Sequence, residues 1–231
     1  FTLGLLVSFS GFSQEAKERN QENINVNKFR QLYQEFSSPN MFRTASGAPG
    51  PAYYQQQADY KMDIELDDEN KRIYGSETIT YTNNSPDNLE YLWVQLDQNV
   101  RKKDSPSLLI DGTGVSPAYA PSGFTKEFLT DPFDGGFNIE YVLDVNRKPL
   151  EHFINQTMMR VDLPNALKSG ESFSFSIKWW YNIQDHVNQD GRSGYETFDK
   201  DGNRVYIIAQ FFPRMAVYNE VEGWQNYQFW G

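Results

Sequence analysis

Two histidines are the first residues to weigh for chemistry: His152 in LEHF and His186 in QDHVN. A protein zinc site draws on several imidazoles or thiolates, often a pair at helical spacing as in H-E-x-x-H. Neither histidine has such a partner, and the chain contains no cysteine. Both read as loop or surface residues, so no metal ligand is assigned in this chain. A serine nucleophile needs the strand–turn–helix of a G-x-S-x-G elbow. The nearest string, GRSGYE from Gly191, lies between two strand patterns and reads as a turn. Asp63, Glu65 and Asp67 share one face of DIELDDEN, while Asp199, Asp201 and Asn203 imitate the opening of a calcium loop. The first set reads as a solvated strand face; the second lacks the late glutamate of such a loop and reads as a turn. No catalytic residue is assigned.

One polar residue stands out by its position. Gln210 closes the apolar run VYIIAQ, just before FFPR. A buried amide must find a hydrogen-bond partner. At a strand end facing a cleft that partner can be the backbone of a bound peptide; elsewhere it is a neighbouring loop that the amide caps. Residue types alone leave both readings open. The 5 tryptophans raise a third possibility, a carbohydrate-stacking platform. Trp179 alternates inward and Trp180 outward, Trp93 lies in a strand, and Trp224 and Trp230 fall near the end of the chain. In a β-sandwich such residues serve the core more often than a binding face.

The elements that must position Gln210 are strands. ADYKMDIEL alternates Ala58, Tyr60, Met62, Ile64 and Leu66 with charged residues, the period of a half-buried strand. RIYGSETITYT follows, with Gly75 as an expected bulge or twist point. NNSPDN is a turn, and LEYLWVQLDQN is a third strand. FNIEYVLDV, TMMRVDLP and ESFSFSIKWWYNI continue the series, with NALKSGES as a loop. In the last strand Phe173, Phe175, Ile177 and Trp179 face one way, and Ser174, Ser176 and Lys178 the other. YETFDKDGNRVYIIAQ is a hairpin with Asp-Gly at its turn. Its second arm is apolar on both faces and is expected to be a central strand covered on both sides. Residues 101–136, rich in Gly, Pro and Ser, read as a long functional loop or flap.

The fold class that follows is mainly β: an antiparallel sandwich or saddle-shaped sheet. A short helix is expected before it, with Val26, Phe29, Tyr33 and Phe36 on one face. The apolar opening FTLGLLVSFSGFS is too short to span a bilayer, which takes roughly 20 residues. It reads as the remnant of a signal peptide over 1–13, with cleavage before Gln14, so export to the periplasm or the extracellular space is expected. Residues 14–52 are then a linker carrying the helix, and 53–231 the β-domain. Formal charge of -10 and a pI near 4.7, with no Lys/Arg stripe, exclude a phosphate-reading surface. No nucleic-acid partner and no membrane span are expected. Aromatics at 16% suit strand and core positions.

Three segments carry a resemblance. QQ-x-x-DY, G-x-E-x-I-x-Y-x-NNSPD-x-L and L-D-Q-N between Gln55 and Asn99 resemble the opening of the N-terminal domain of bacterial zinc aminopeptidases. These belong to the aminopeptidase N family (gluzincin metallopeptidases, peptidase family M one). YIIAQFFPRMAVYNEVEGWQ is similar to the A-Q-[FWY]-x-P-R-x-x-V-Y segment of secreted members, and the L-x-S-G-E-S-F-x-F-x-I-x-W string between them also fits. The likeness covers 53–231. It implies a non-catalytic saddle-shaped domain that precedes a zinc-bearing catalytic domain. Zinc, the water it polarises and the glutamate base would lie beyond this chain, and the fragment alone would be inactive. The aromatic tail, where polar termini are usual, then reads as a cut through the β-domain. The resemblance gives Gln210 a place facing the peptide substrate. Many members carry Glu or Gln two residues later to bind the substrate's free N-terminus; here that position is Phe212. The partners implied are a peptide substrate and the chain's own downstream catalytic domain. The rival is a self-contained secreted binding module for carbohydrate or protein ligands.

Overall fold

The computed structural model describes residues 39–107, 118, 120–125, 129, 133–186 and 193–230. The expected signal peptide, the helix at 26–36 and much of the 101–136 loop lie outside these. The chain divides into two compact units between Ala52 and Tyr53. In the first, Asn40 Oδ1 accepts from the backbone N–H groups of Phe42 and Arg43, and Arg43 bridges to Pro49. The second unit holds the sheets.

It is mainly β and antiparallel. One four-stranded sheet runs in the order β1 (Gln57–Asp67), β2 (Arg72–Thr82), β7 (Ser172–Asn182), β4 (Asn138–Asp144). The other runs β10 (Arg214–Met215), β3 (Leu89–Gln95), β6 (Met158–Leu167), β5 (His152–Asn155). The core lies between them, with Ile79, Phe175, Ile177 and Trp179 from the first sheet and Leu92, Val94, Met159 and Val161 from the second, all fully buried. Two ribbons are appended, β8 (Gly194–Thr197) with β9 (Arg204–Ile207) and β11 (Tyr218–Asn219) with β12 (Gly223–Trp224).

The period of two predicts the faces of β7 correctly. Phe175, Ile177, Trp179 and Tyr181 are buried, while Ser172, Ser174 and Ser176 pair across to Thr82, Thr80 and Thr78 at 2.8–3.0 Å on the outer face. Cross-strand hydroxyl pairs of this kind stabilise a solvated sheet face. The Asp-Gly hairpin is present as β8–β9, with Gly202 at φ 71°.

Several local expectations change; among them, Asn165–Leu167, expected in a loop, close β6. Gly75 is not a bulge: β2 pairs in unbroken register with both β1 and β7. Its role is close approach, since a Cβ there would lie 2.2 Å from Trp179 Cζ2. Register shifts sit instead between Ile139 and Tyr141 of β4 and between Leu89 and Tyr91 of β3, the latter opposite the part of β6 that contains Pro164. Proline has no N–H for a ladder, and there β6 has lost its other neighbour, because β5 pairs only with Met158–Val161. Finally, β9 is not a central strand. Among the described residues it pairs only with β8, and Val205 and Ile207 are 39% and 50% exposed.

Candidate functional site

Gln210 lies on the crossing between the β8–β9 ribbon and the edge of the second sheet. After Ile207 the chain leaves β9, turns through Ala209 and Gln210, and re-enters order as β10 against Val94 and Gln95 of β3. Gln210 takes φ 48°, in the left-handed region. Few non-glycine residues do so without a surrounding structure that holds them there. Its side chain is half-buried and makes no hydrogen bond among the described residues.

The holding structure comes from the LDQN segment, whose residues Asp97–Arg101 form a short 3-10 turn. Gln98 is 2% exposed, and its Nε2 donates to the carbonyls of Ala209 at 2.7 Å and Gln210 at 3.2 Å. Asp97 Oδ2 accepts from Arg214 Nε and Nη2, each at 2.9 Å. The Asp97 side chain is 2% exposed, so this charge-assisted pair is sheltered on the carboxylate side. Asn99 faces away, donating to Gln156 O at 2.7 Å and accepting from Phe137 N at 2.9 Å. Two segments singled out separately by resemblance are thus one unit in space: LDQN grips AQFFPR at both ends of the crossing.

Between the grips, Phe212 meets Tyr60 edge-on at 5.5 Å between ring centroids and Phe211 at 5.0 Å, and both phenylalanines pack on the core. Tyr60 Oη accepts from Met215 N at 2.8 Å, and burial raises its pKa above the usual phenol value. Phe212, at the position where the resemblance leads one to expect Glu or Gln, serves here as a hydrophobic anchor. Pro213, with no N–H to satisfy, is buried after it.

The other motif residues are structural. Asn83, fully buried, donates to Asp87 O and Leu167 O and accepts from Gln56 Nε2 and from Ser85. This ties QQ-x-x-DY to NNSPD and closes one end of the sandwich. Asp67 accepts from Asn70 in the β1–β2 turn, and Asp201 from Asn203 in the β8–β9 turn, as plain turn chemistry requires. Asp63 and Glu65 are exposed on β1. His152 and His186 are exposed, on β5 and at a loop. Among the described residues no three His, Cys, Asp or Glu side chains are grouped to hold a metal. Of the tryptophans, Trp179 is core, Arg72 covers the Trp180 ring at 4.2 Å, Trp224 packs on Tyr81 and Tyr218, and Trp230 is 42% exposed.

Sequence reasoning gave Asp97, Gln98, Arg101, Gln184 and Arg214 no role, although LDQN and FFPR were in view. It also passed over Glu77. That residue occupies an inward position of β2 between Gly75 and Ile79, a signal the alternation already contained. It is 2% exposed, both carboxylate oxygens lack a partner among the described residues, and burial pushes its pKa up to about 8.

No family model matches the chain, and no curated relative does. Solved structures that resemble it include an M1 zinc metallopeptidase from Deinococcus radiodurans, with 11% identity and a TM-score of 0.36 over 64% of this chain and 25% of that one. A mutant of that enzyme with a bound Tyr-Ser-Ala substrate gives 11% identity and a TM-score of 0.35 over 67% and 29%. A two-domain M1 zinc metallopeptidase mutant bound to L-tryptophan gives 10% and 0.35, again over 67% and 29%. The chain spans between 25% and 29% of the length of these proteins. Likeness at this level transfers no chemistry from one chain to another. No helix among the described residues is long and apolar enough to cross a membrane.

Proposed function

We propose that this chain is the N-terminal β-domain of an exported zinc aminopeptidase, and that its AQFFPR crossing walls the cleft in which a peptide's N-terminal residues lie. Zinc, in this reading, belongs to a downstream catalytic domain, on which the present domain packs. The observation that carries the proposal is Gln210. Its backbone is gripped from LDQN, its φ of 48° turns it out of the run, and its amide has no partner among the described residues. A half-buried amide held at an uncommon backbone angle and left unsatisfied suits a hydrogen bond to something external, and a peptide backbone offers both donor and acceptor. Exposed Val205, Ile207, Val217 and Val221 supply apolar surface for the downstream domain to cover.

Gln210→Ala in the full-length protein tests this. Loss of one hydrogen bond to an uncharged group costs about 0.5–1.5 kcal/mol. That is roughly a twofold to thirteenfold fall in kcat/KM for peptide hydrolysis. Zinc content and melting temperature should not change. Unaltered kinetics would make Gln210 a structural residue. A gene that stops soon after Gly231, without H-E-x-x-H and a later Glu, would remove the aminopeptidase reading and favour a binding module.

A further inference from the structure

We infer that Gln98 is the positioning residue of the Gln210 subsite: a buried amide that fixes the peptide planes at Ala209 and Gln210 and so aims the Gln210 side chain. The inference rests on the proposed function for what Gln210 touches, but the clamp itself stands on geometry.

Gln98 belongs to a closed ring of hydrogen bonds. Its Oε1 accepts from Arg101 Nη1 at 3.1 Å. Arg101 Nε donates to Gln184 Oε1 at 2.8 Å, and Gln184 Nε2 donates to Ser193 O. Ala209 N donates to Ser193 Oγ at 3.1 Å, and the Ala209 carbonyl returns to Gln98 Nε2 at 2.7 Å. Gln98, Gln184 and Ser193 are 2%, 4% and 7% exposed.

The chemistry of the ring sets the orientation of each member. A guanidinium only donates, and a carbonyl only accepts. Gln98 must therefore turn Oε1 to Arg101 and Nε2 to the two carbonyls; the flipped amide would set donor against donor and acceptor against acceptor. Two consecutive carbonyls converge on one Nε2 because the chain between them bends through the left-handed conformation of Gln210. The cavity bordered by Gln98, Arg101, Gln184, Ser193 and Ile207 is about 10 Å³. That is room for no more than one water, so the ring binds no ligand of its own. What it presents outward is the Gln210 side chain.

Gln98→Glu isolates the donor. It keeps the shape and the Arg101 contact but removes the N–H groups and sets a carboxylate against two carbonyl oxygens. Two measurements on the full-length protein decide the matter. The first is backbone hydrogen exchange. Gln98→Glu should speed exchange of the Ala209 N–H, which donates to Ser193 Oγ, at least tenfold, while β7 stays protected. The second is a double-mutant cycle in peptide hydrolysis. If Gln98 acts only through Gln210, Gln98→Glu lowers kcat/KM by a factor like that of Gln210→Ala, mainly through KM, and the double variant is no worse than either. Gln98→Asn, with a shorter amide, should restore part of the protection that Gln98→Glu loses.

Unchanged exchange of the Ala209 N–H overturns the clamp. So do multiplicative losses in the double variant, since Gln98 would then act on turnover by another route. Faster exchange beside a kinetically silent Gln210→Ala supports the clamp and removes the peptide reading of Gln210 instead.

Discussion

Glu77 sets a measurable pH dependence. Its strand neighbours on the core face are Met62 and Ile177, with Trp179 lying across Gly75 on the diagonal. The half-buried Tyr60 phenol senses its charge but cannot neutralise it. Burial alone raises the Glu77 carboxyl from 4.5 to about 8. The folded chain therefore keeps this proton well above the pH at which the unfolded chain loses it. Between pH 4.5 and about 8 the native state binds more protons, so stability falls as pH rises, by about 1.4 kcal/mol per pH unit. The contribution is fully present below the unfolded value. About 3 kcal/mol of it is gone by pH 7, and about 5 kcal/mol once pH passes the folded value.

Glu77→Gln keeps the shape of the neutral acid and cannot ionise. Urea unfolding of the chain, followed by circular dichroism from pH 4.5 to 9, compares the two. Every other group titrates alike in both proteins, so the difference between the curves isolates this position. The curves should meet near pH 4.5 and diverge above it, with Glu77→Gln more stable by about 3 kcal/mol at pH 7. For a unit of this size that corresponds to roughly 6–12 °C in Tm. Parallel curves would refute the reasoning. They would mean that the carboxylate is ionised in the fold and paired with a cation or with the surroundings.

Two further perturbations test the packing. Phe175→Asp should abolish cooperative unfolding, because Phe175 is 0% exposed and an unpaired buried charge costs several kcal/mol, about the whole stability of a domain. Ser174→Asp, on the outer face beside Thr80, should shift the midpoint only slightly, and equal melting of the two would reverse the face assignment. Gly75→Ala should cost about 1–3 kcal/mol and change Trp179 fluorescence, because the new methyl would meet the indole ring; an unchanged melt and spectrum would place the ring elsewhere.

Much of the sandwich was legible because burial on one face imposes a period of two. The alternation in SFSFSIKWW has one solution, and the strand that results has those faces. Residues 204–208 misled for the same reason in reverse. RVYII carries apolar residues on both faces, which suits a central strand, but periodicity cannot say whether a second face is covered by this chain. Gly75 reads as a bulge or twist point, because sequence records that a side chain is missing without recording what fills the space. The Trp179 indole, 104 residues on, fills it. The site was legible only as a question about Gln210. Its answer depends on Gln98, Arg101, Gln184 and Ser193, four polar residues from three separate stretches, and no local pattern links an amide to a carbonyl 111 positions away.

The magnitudes explain why such a ring belongs at this crossing. Holding a glutamine in the left-handed region costs on the order of 1–3 kcal/mol. A single neutral hydrogen bond contributes about 0.5–1.5 kcal/mol net, so one bond would leave the kink marginal. Gln98 Nε2 reaches two carbonyls, and Ser193 Oγ takes the Ala209 N–H as well. Together these offset the strain without any contact from the Gln210 side chain. An amide that took part in its own restraint would be saturated and of no use to a ligand. Because the strain is met entirely through backbone atoms, the Gln210 carboxamide keeps its donors and its acceptor, which is the arrangement expected of a group whose partner arrives from outside.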